Sequence, residues 1–520
     1  MRRLYLLVWG IFLLNGIFTF FYSCTNNSKQ TEDGTPNGES IGQGKLLAEK
    51  YCQGCHMLPD PSLLDKKSWN DGVLPAMGPH LGIFAYGEKI YPAKRNDPNV
   101  SKSYYPSQQI ISFTEWQNII DYYTATAPDS LPHQQRKDSI KKDLQIFTAI
   151  QPRFKYPVPT TCFVRIDSTN HSIILCDANN KKIFRFNKDL ELIDTLKVSG
   201  PVVDINFKKN EWLACNIGNI NPNDAKLGNA EIIDFDKNKK MKLLPAPLFD
   251  NLGRPVEVAE VDLNKDGKPD YIVCEFGNLT GALSWMENVG NGKFQRHVLR
   301  SFPGAIKVYI NDYNHDGLPD LWALFAQGEE GIFLFTNKGN GSFEQREVLR
   351  FPPIYGSSSF ELTDLNNDGY PDIIYTCGDN ADYSKVLKPY HGVYIFLNDG
   401  KNNFTQKYFF PINGCYKAIA RDFDGDGNVD IATISFFADY KNQPEEGFVL
   451  LKNKGNFQFE PHTLAAGESG RWLTMDVGDL DGDGKPDIIL GNFSVGPIMM
   501  KSAINWKENP PFVVLKNISK

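Results

Sequence analysis

Along the 520-residue chain the apolar positions change their period several times. Residues 4–21 are almost continuously hydrophobic, interrupted by Asn15 and Thr19. Within residues 41–51, Leu46, Leu47 and Tyr51 recur at helical spacing, which predicts a short helix. A second helix is predicted where Trp116, Ile119, Ile120 and Tyr123 recur. Ser112 opens it with Glu115 three residues on, a capping box, and Pro128 ends it. From about residue 157 the helical period disappears. Short apolar runs between Gly-, Asn- and Asp-rich turns take over, such as Ile173-Ile174-Leu175, and these read as strands.

The strand region repeats itself. Nine-residue segments of the form D-x-[DN]-x-D-G-x-x-D begin at Asp262, Asp312, Asp364, Asp422 and Asp479, at separations of 50, 52, 58 and 57 residues. Positions 1, 3, 5 and 9 all carry side-chain oxygen. They are Asp262, Asn264, Asp266 and Asp270; Asp312, Asn314, Asp316 and Asp320; Asp364, Asn366, Asp368 and Asp372; Asp422, Asp424, Asp426 and Asp430; and Asp479, Asp481, Asp483 and Asp487. Alternating carboxylates, a carbonyl at position 7 and a glycine at position 6 suit calcium, a hard ion that takes about six to eight oxygens. The opening matches an EF-hand loop, but position 12 is not Glu and each final Asp leads into an apolar strand. One such loop would read as an ordinary Asp/Gly turn; five in register do not.

A glycine hairpin signal follows the first four loops, beginning at Asn288, Asn337, Asn398 and Asn453. Each unit is therefore strand, loop, strand, strand, hairpin, strand, the content of a β-propeller blade. Two loop-free units, at 161–198 and 201–248, precede the five and bring the expected number to seven. The last unit is one strand short, so a strand over about 154–160 is expected to complete it and close the ring. Over roughly 256–516 the loops resemble the FG-GAP/VCBS repeats related to the integrin α head. That resemblance implies a calcium-loop propeller with up to five Ca2+.

Upstream stands Cys52-Gln53-Gly54-Cys55-His56. C-x-x-C-H is the attachment signature of haem c: two thiols reach the porphyrin vinyl groups and the following imidazole becomes the proximal iron ligand. A thioredoxin-like redox pair or half a zinc site are the rival readings, and no second C-x-x-C is present to complete the latter. With the helix that leads into it, the motif resembles the first helix of small cytochromes c, which implies that the Ser112-capped helix crosses it. Between residues 41 and 128 the methionines are Met57 and Met77. Met57 adjoins the proximal histidine and cannot reach the opposite face, so Met77 is the expected sixth ligand, with His80 or an open site as alternatives.

The expected architecture is a small all-α cytochrome c domain followed by an all-β seven-bladed β-propeller with calcium loops. Its parts are an export signal or lipoprotein anchor (1–24), a tether (25–40), the haem domain (41–128), a linker (129–153) and the propeller (154–520). The net charge of -7 has its source in the loops, which carry three Asp each in the first three and four each in the last two. It therefore points to metal rather than to a basic partner or nucleic acid. Arg2, Arg3, the apolar run and Ser23-Cys24 predict export with a lipid at Cys24, or else an uncleaved membrane span. Both place the chain outside the cytoplasm on a membrane, as in the periplasm or outer membrane of a Gram-negative bacterium. Of the nine cysteines, six fall in the strand region; Cys162 and Cys176 are expected to face each other across a hairpin and form a bridge. His297, His315 and His391 read as surface or turn residues.

The functional expectation is a membrane-tethered electron carrier that exchanges single electrons with a redox partner protein, its propeller serving as scaffold. Alternatives are a catalytic propeller feeding the haem, either a dehydrogenase or a polysaccharide-active domain, and a glycan- or protein-binding module. No nucleophile-and-base pair stands out, so no catalytic residues are assigned. The eight tryptophans fall at no repeated position, which weighs against a quinoprotein dehydrogenase.

Overall fold

In a computed structural model, which describes residues 36–208, 211–381, 383–496 and 504–520, seven antiparallel sheets follow one another around a ring. Each is built from four strands, and the second sheet carries a fifth, Phe249–Leu252. The N-terminal hydrophobic run, Cys24 and most of the tether lie outside the described residues. Among the described residues no helix is long and apolar enough to cross a membrane.

The first strands, from Thr161–Asp167 in blade 1 to Trp472–Gly478 in blade 7, neighbour one another around the centre. Six of the seven second strands, such as Asp270–Glu275 and Asp320–Phe325, are buried at every position, and that of blade 2 at all but Glu211, which is why they read as unbroken apolar runs. Hydrophobic residues gather between blades rather than within them. Trp285 and Phe335 meet between blades 3 and 4, Trp322 and Tyr375 between blades 4 and 5, and Phe423 and Trp472 between blades 6 and 7.

All seven first strands carry a register shift at their second residue, for example between Pro255 and Glu257 and between Cys415 and Lys417. Such bulges sharpen the local twist and re-aim side chains. The same strands hold charged residues that stitch neighbouring blades. Glu257 accepts the Val308 N–H at 2.6 Å, Glu361 that of Ala420 at 2.8 Å, and Asp476 that of Ile166 at 2.9 Å. Lys307 pairs with Glu257, and Lys417 donates to the Met475 carbonyl at 2.9 Å.

The seventh blade is closed from the N-terminal side, but by Phe147–Ile150 paired antiparallel with Phe512–Asn517, not by residues 154–160. Pro157 and Pro159 lack the N–H groups a ladder needs. That stretch instead covers blade 1, where Phe154 and Tyr156 pack on Phe184. The propeller therefore begins at 147, and the expected linker over 129–153 shrinks accordingly. Nor is it loose: Gln134 donates to the Lys388 and His391 carbonyls, Arg136 pairs with buried Glu446, and Lys141 bridges to His462.

Residues 37–127 form a helical unit with its own core of Ala48, Leu64, Trp69, Trp116, Ile119 and Tyr123. The first helix, Gly38–Tyr51, is capped by Asn37, which accepts from Ser40 N–H at 2.7 Å. The second long helix, Phe113–Thr126, opens with the expected Ser112/Glu115 capping box. They cross at Gly44, where a Cβ would stand 1.8 Å from the Asn118 carbonyl oxygen. Two expectations change here. Leu46 is 59% exposed and Gly44 and Ala48 form the buried face instead. The unit is also not purely α nor self-contained: it holds a two-residue strand pair, Ala85–Tyr86 with Lys89–Ile90, and Ile354 and Val386 of the propeller pack against its core.

The Cys162–Cys176 bridge does not form. The bulge in blade 1 pairs Phe163, not Cys162, with Cys176 and sets Arg165 opposite Ile174 rather than near Ser172. Both thiols are free, and that of Cys162 donates toward the Cys176 and Val202 carbonyls. His391, read as a surface or turn residue, is 1% exposed. Burial, with the nearby Lys388 charge, holds its imidazole well below the ordinary histidine range. An unfolded chain takes up this proton near pH ~6.5, so the contribution to stability is full above that pH and is lost as pH falls below it, by at most about 1.4 kcal/mol per unit. The wild type should accordingly lose more of its urea midpoint between pH 7.5 and 5.0 than His391→Asn; equal losses would exclude this role.

Candidate functional site

The first helix delivers the cysteine motif as it unwinds. Cys52 caps it, its N–H bonded to the Ala48 carbonyl at 2.8 Å, and residues 52–55 turn before His56. Cys52 is half-buried against the helical core while Cys55 is exposed. Burial, then the neighbouring Cys55, pushes the Cys52 thiol up to about 11. That is opposite to the depressed thiolate of an attacking redox pair. Among the described residues, groups of three or more His, Cys, Asp or Glu ligand atoms within 4.8 Å are found in two Asp loops, and the cysteine pair is in neither.

His56 Nδ1 lies 2.9 Å from the Met57 carbonyl oxygen. A carbonyl only accepts, so Nδ1 carries the hydrogen and Nε2 keeps its lone pair, the arrangement an imidazole ligand needs. Burial lowers the pKa of this ring, further favouring the neutral form. Met77 ends a short helix, Leu74–Met77, and lies half-buried against the core. His80 follows in a 3-10 turn closed by Gly82 at φ +79°. Its ring sits 5.6 Å from that of Tyr104 and 5.3 Å from that of Tyr105, and burial, then the charge of His56, lowers its pKa. Two free thiols, a tautomer-fixed imidazole and nearby Met77 and His80 make a donor set that fits covalently bound haem. The clefts lined by Ile41, Lys45 and Tyr122 and by Lys66, Asn70 and Asp129 lie elsewhere on the unit and hold none of these residues.

The unit rests on the propeller face made by the turns between second and third strands and by the blade-to-blade connections. Tyr390 Oη donates to the Leu63 carbonyl at 3.0 Å, Lys94 Nζ meets buried Asp224 at 3.2 Å, and Gly72 abuts the Tyr383 backbone. The five Asp loops join first to second strands, so strand alternation puts them on the opposite face.

Each loop is wound by backbone donors. In the first, Asp262 accepts from Asp266 N–H at 3.1 Å and Gly267 N–H at 2.9 Å, Asn264 from Asp266 N–H at 3.1 Å, and Asp266 from Lys268 N–H at 2.9 Å. Gly267 has φ +81°, as position 6 requires. Position 4 is left-handed as well, at Lys265, His315 and Asn367, and is glycine in the two richest loops, Gly425 and Gly482. In those two, oxygens of Asp422, Asp424 and Asp426 and of Asp479, Asp481 and Asp483 converge within 4.8 Å. Burial, with Asp424 and Asp426 adding to it, raises the Asp430 carboxyl to about 7. Lys452 and Lys516 ammonium groups meet Asp424 and Asp481. Crowded carboxylates that recruit cations form a hard-oxygen donor set that fits calcium.

The position-9 Asp also does something the spacing did not reveal. It is buried, and one oxygen accepts the N–H of an Asn at or near the end of the third strand: Asp270 from Asn288 at 2.7 Å, Asp320 from Asn337 at 2.7 Å, Asp372 from Asn398 at 2.9 Å, Asp430 from Asn453 at 2.7 Å and Asp487 from Asn517 at 2.7 Å. The Asn side chain answers by bonding the carbonyl of position 8. Loop and hairpin are thus clasped together. Asn517 is the fifth member, missed because Ser519 replaces the hairpin glycine.

With this geometry in place, comparison with known proteins gives a consistent class. The FG-GAP-like repeat family matches residues 262–323, 312–375 and 435–490. A T-cell immunomodulatory protein homolog of Plasmodium falciparum (isolate 3D7) is 27% identical over 217 residues, 34% of this chain and 29% of that protein. Integrin alpha-6 of Homo sapiens is 29% identical over 154 residues, 26% of this chain and 14% of that protein, and integrin alpha-3 of Cricetulus griseus is 24% identical over 195 residues, 33% and 17% respectively. The chain spans under a third of the length of these relatives. It is a seven-bladed β-propeller carrying FG-GAP-like repeats.

The clasp makes a measurable claim. Asn337 also donates to the Leu263 carbonyl of the preceding blade at 2.9 Å. Asn337→Ala should lower stability by about 1–3 kcal/mol, since it strands buried carbonyls. Asn288→Ala, whose amide bonds Pro269 within its own blade at 3.2 Å, should cost less. Urea unfolding of both variants decides the order.

Proposed function

We propose that this protein is an extracytoplasmic, membrane-anchored electron carrier in which the propeller is a binding scaffold. Haem c would be held through thioether bonds to Cys52 and Cys55, with His56 Nε2 as proximal ligand and Met77 as the sixth, His80 being its competitor. Bound haem supplies a one-electron ferric/ferrous couple. The protein's part is to orient the imidazole through the Met57 carbonyl, shield one thiol in the helical core and leave the Cys55 side open to a redox partner protein. The observation that carries this reading is the imidazole, tautomer-fixed at 2.9 Å, one residue beyond two free thiols on a single turn.

Calcium would occupy up to five Asp loops through positions 1, 3, 5 and 9 and stiffen the face opposite the helical unit. A second reading, that the propeller's main role is to bind a protein or glycan ligand, draws support from its similarity to integrin α chains. The two readings are compatible.

Protein matured in a haem-attaching host should carry one covalent haem and a redox-active visible spectrum, and Cys55→Ala should abolish stable attachment. Wild-type protein without added haem mass would overturn the electron-carrying reading. Chelation should lower the melting temperature, by the equivalent of about 2.7 kcal/mol for a site held at one hundred times its Kd. Calcium should restore it, and Asp426→Ala should lose more of this effect than Asn264→Ala.

A further inference from the structure

We propose that Tyr123, Trp69 and Tyr390 are positioning residues that fix the His56 imidazole by clamping the chain that leaves it, the last of them supplied by the propeller. This rests on the haem reading above. The chain beyond His56 runs Met57-Leu58-Pro59-Asp60-Pro61-Ser62-Leu63. Alternate carbonyls of this segment are each taken by the polar edge of an aromatic side chain. Pro59 accepts from Tyr123 Oη at 3.2 Å, Pro61 from Trp69 Nε1 at 2.8 Å and Leu63 from Tyr390 Oη at 3.0 Å. The first donor stands on the second long helix, the second in the helical turn that follows the segment, and the third between the second and third strands of blade 5.

The donors are braced in their turn. The Trp69 and Tyr123 rings lie 4.4 Å apart and are 1% and 2% exposed, and Tyr390 stacks on Tyr355 with centroids 4.6 Å apart and planes at 15°. The segment has little freedom of its own: Pro59 and Pro61 fix φ, and Asp60 accepts the Ser62 N–H at 2.8 Å to open the 3-10 turn Pro61–Leu63. The Met57 carbonyl, which accepts the His56 Nδ1–H at 2.9 Å, stands at the start of this clamped stretch, two residues before the first anchored carbonyl. A carbonyl on a fixed chain keeps that bond short and in line; on a loose chain it does not.

The sign of the effect follows from the hydrogen bond. An imidazole that donates Nδ1–H to a held carbonyl is the more basic ligand and favours ferric over ferrous iron, so loosening the clamp should raise the midpoint potential. Tyr123→Phe removes only the hydroxyl at the anchor nearest His56, and at a fixed poise its ferrous-to-ferric ratio should rise several-fold. Tyr390→Phe keeps the ring that stacks on Tyr355 but frees the Leu63 carbonyl, farther along the segment, and should move the ratio the same way by less. Tyr86→Phe removes a hydroxyl that donates to Gln117 of the same long helix at 2.7 Å and to none of these carbonyls, and should leave the potential unchanged.

The measurement is a spectroscopic redox titration of the full-length holoprotein and the three variants. A rise for Tyr123→Phe, a smaller rise for Tyr390→Phe and none for Tyr86→Phe support the assignment. An unchanged or lowered potential in Tyr123→Phe, or an equal shift in Tyr86→Phe, overturns it while leaving the haem reading intact. A rise in Tyr123→Phe with none in Tyr390→Phe overturns the propeller's share. Wild-type protein that takes up no haem overturns both readings.

Discussion

Closure of the ring is the constraint on which the rest of this molecule depends. Six blades are made from continuous stretches of chain, but the seventh takes Phe147–Ile150 from the N-terminal side and Phe512–Asn517 from the C-terminal end. An open ring would leave bare sheet edges and expose the apolar surface that each blade buries against its neighbour. Because the chain must pass from the helical unit to this closing strand, residues 129–146 follow the rim of blades 5 and 6 and are held there by Gln134, Arg136 and Lys141. The segment between the docked helical unit and the closing strand is thus itself fixed to the propeller.

Carboxylates do most of the remaining structural work, in two layers. Glu257, Glu361 and Asp476 each receive an N–H from the next blade near the centre, and at the loop face five buried Asp residues clasp a loop to a hairpin. A buried carboxylate without donors would be costly, so each of these is matched to backbone N–H groups fixed by the strands themselves. The acidity of the chain is therefore part of its construction as well as its candidate metal chemistry. The two faces differ in what they carry: the Asp loops on one, and the helical unit with its thiol and imidazole donors on the other.

Much of this was legible beforehand. Short apolar runs between Gly-, Asn- and Asp-rich turns marked the strands, the five Asp loops marked the blades, Ser112 and Glu115 marked a helix start, and the cysteine motif marked the candidate site. The misreadings share a cause. Residues 154–160 are extended and apolar enough to pass for a strand, yet Pro157 and Pro159 cannot pair. Cys162 seemed opposite Cys176 because a one-residue bulge is invisible in the pattern and moves every partner beyond it. Leu46 and His391 were misjudged because burial depends on which surface arrives from elsewhere in the chain.

The amino-acid sequence by itself determined what is local: where strands and helices start, which loops present alternating side-chain oxygens, and that two thiols and an imidazole leave one turn together. Those properties follow from backbone preference, capping and spacing over a few residues. Only the tertiary structure decided which residues from distant stretches share an environment. It set Gly44 against Asn118, Glu257 against Val308, and Tyr390 against Leu63. Long-range burial and electrostatics depend on distances in space, and a folded ring creates those between residues hundreds of positions apart.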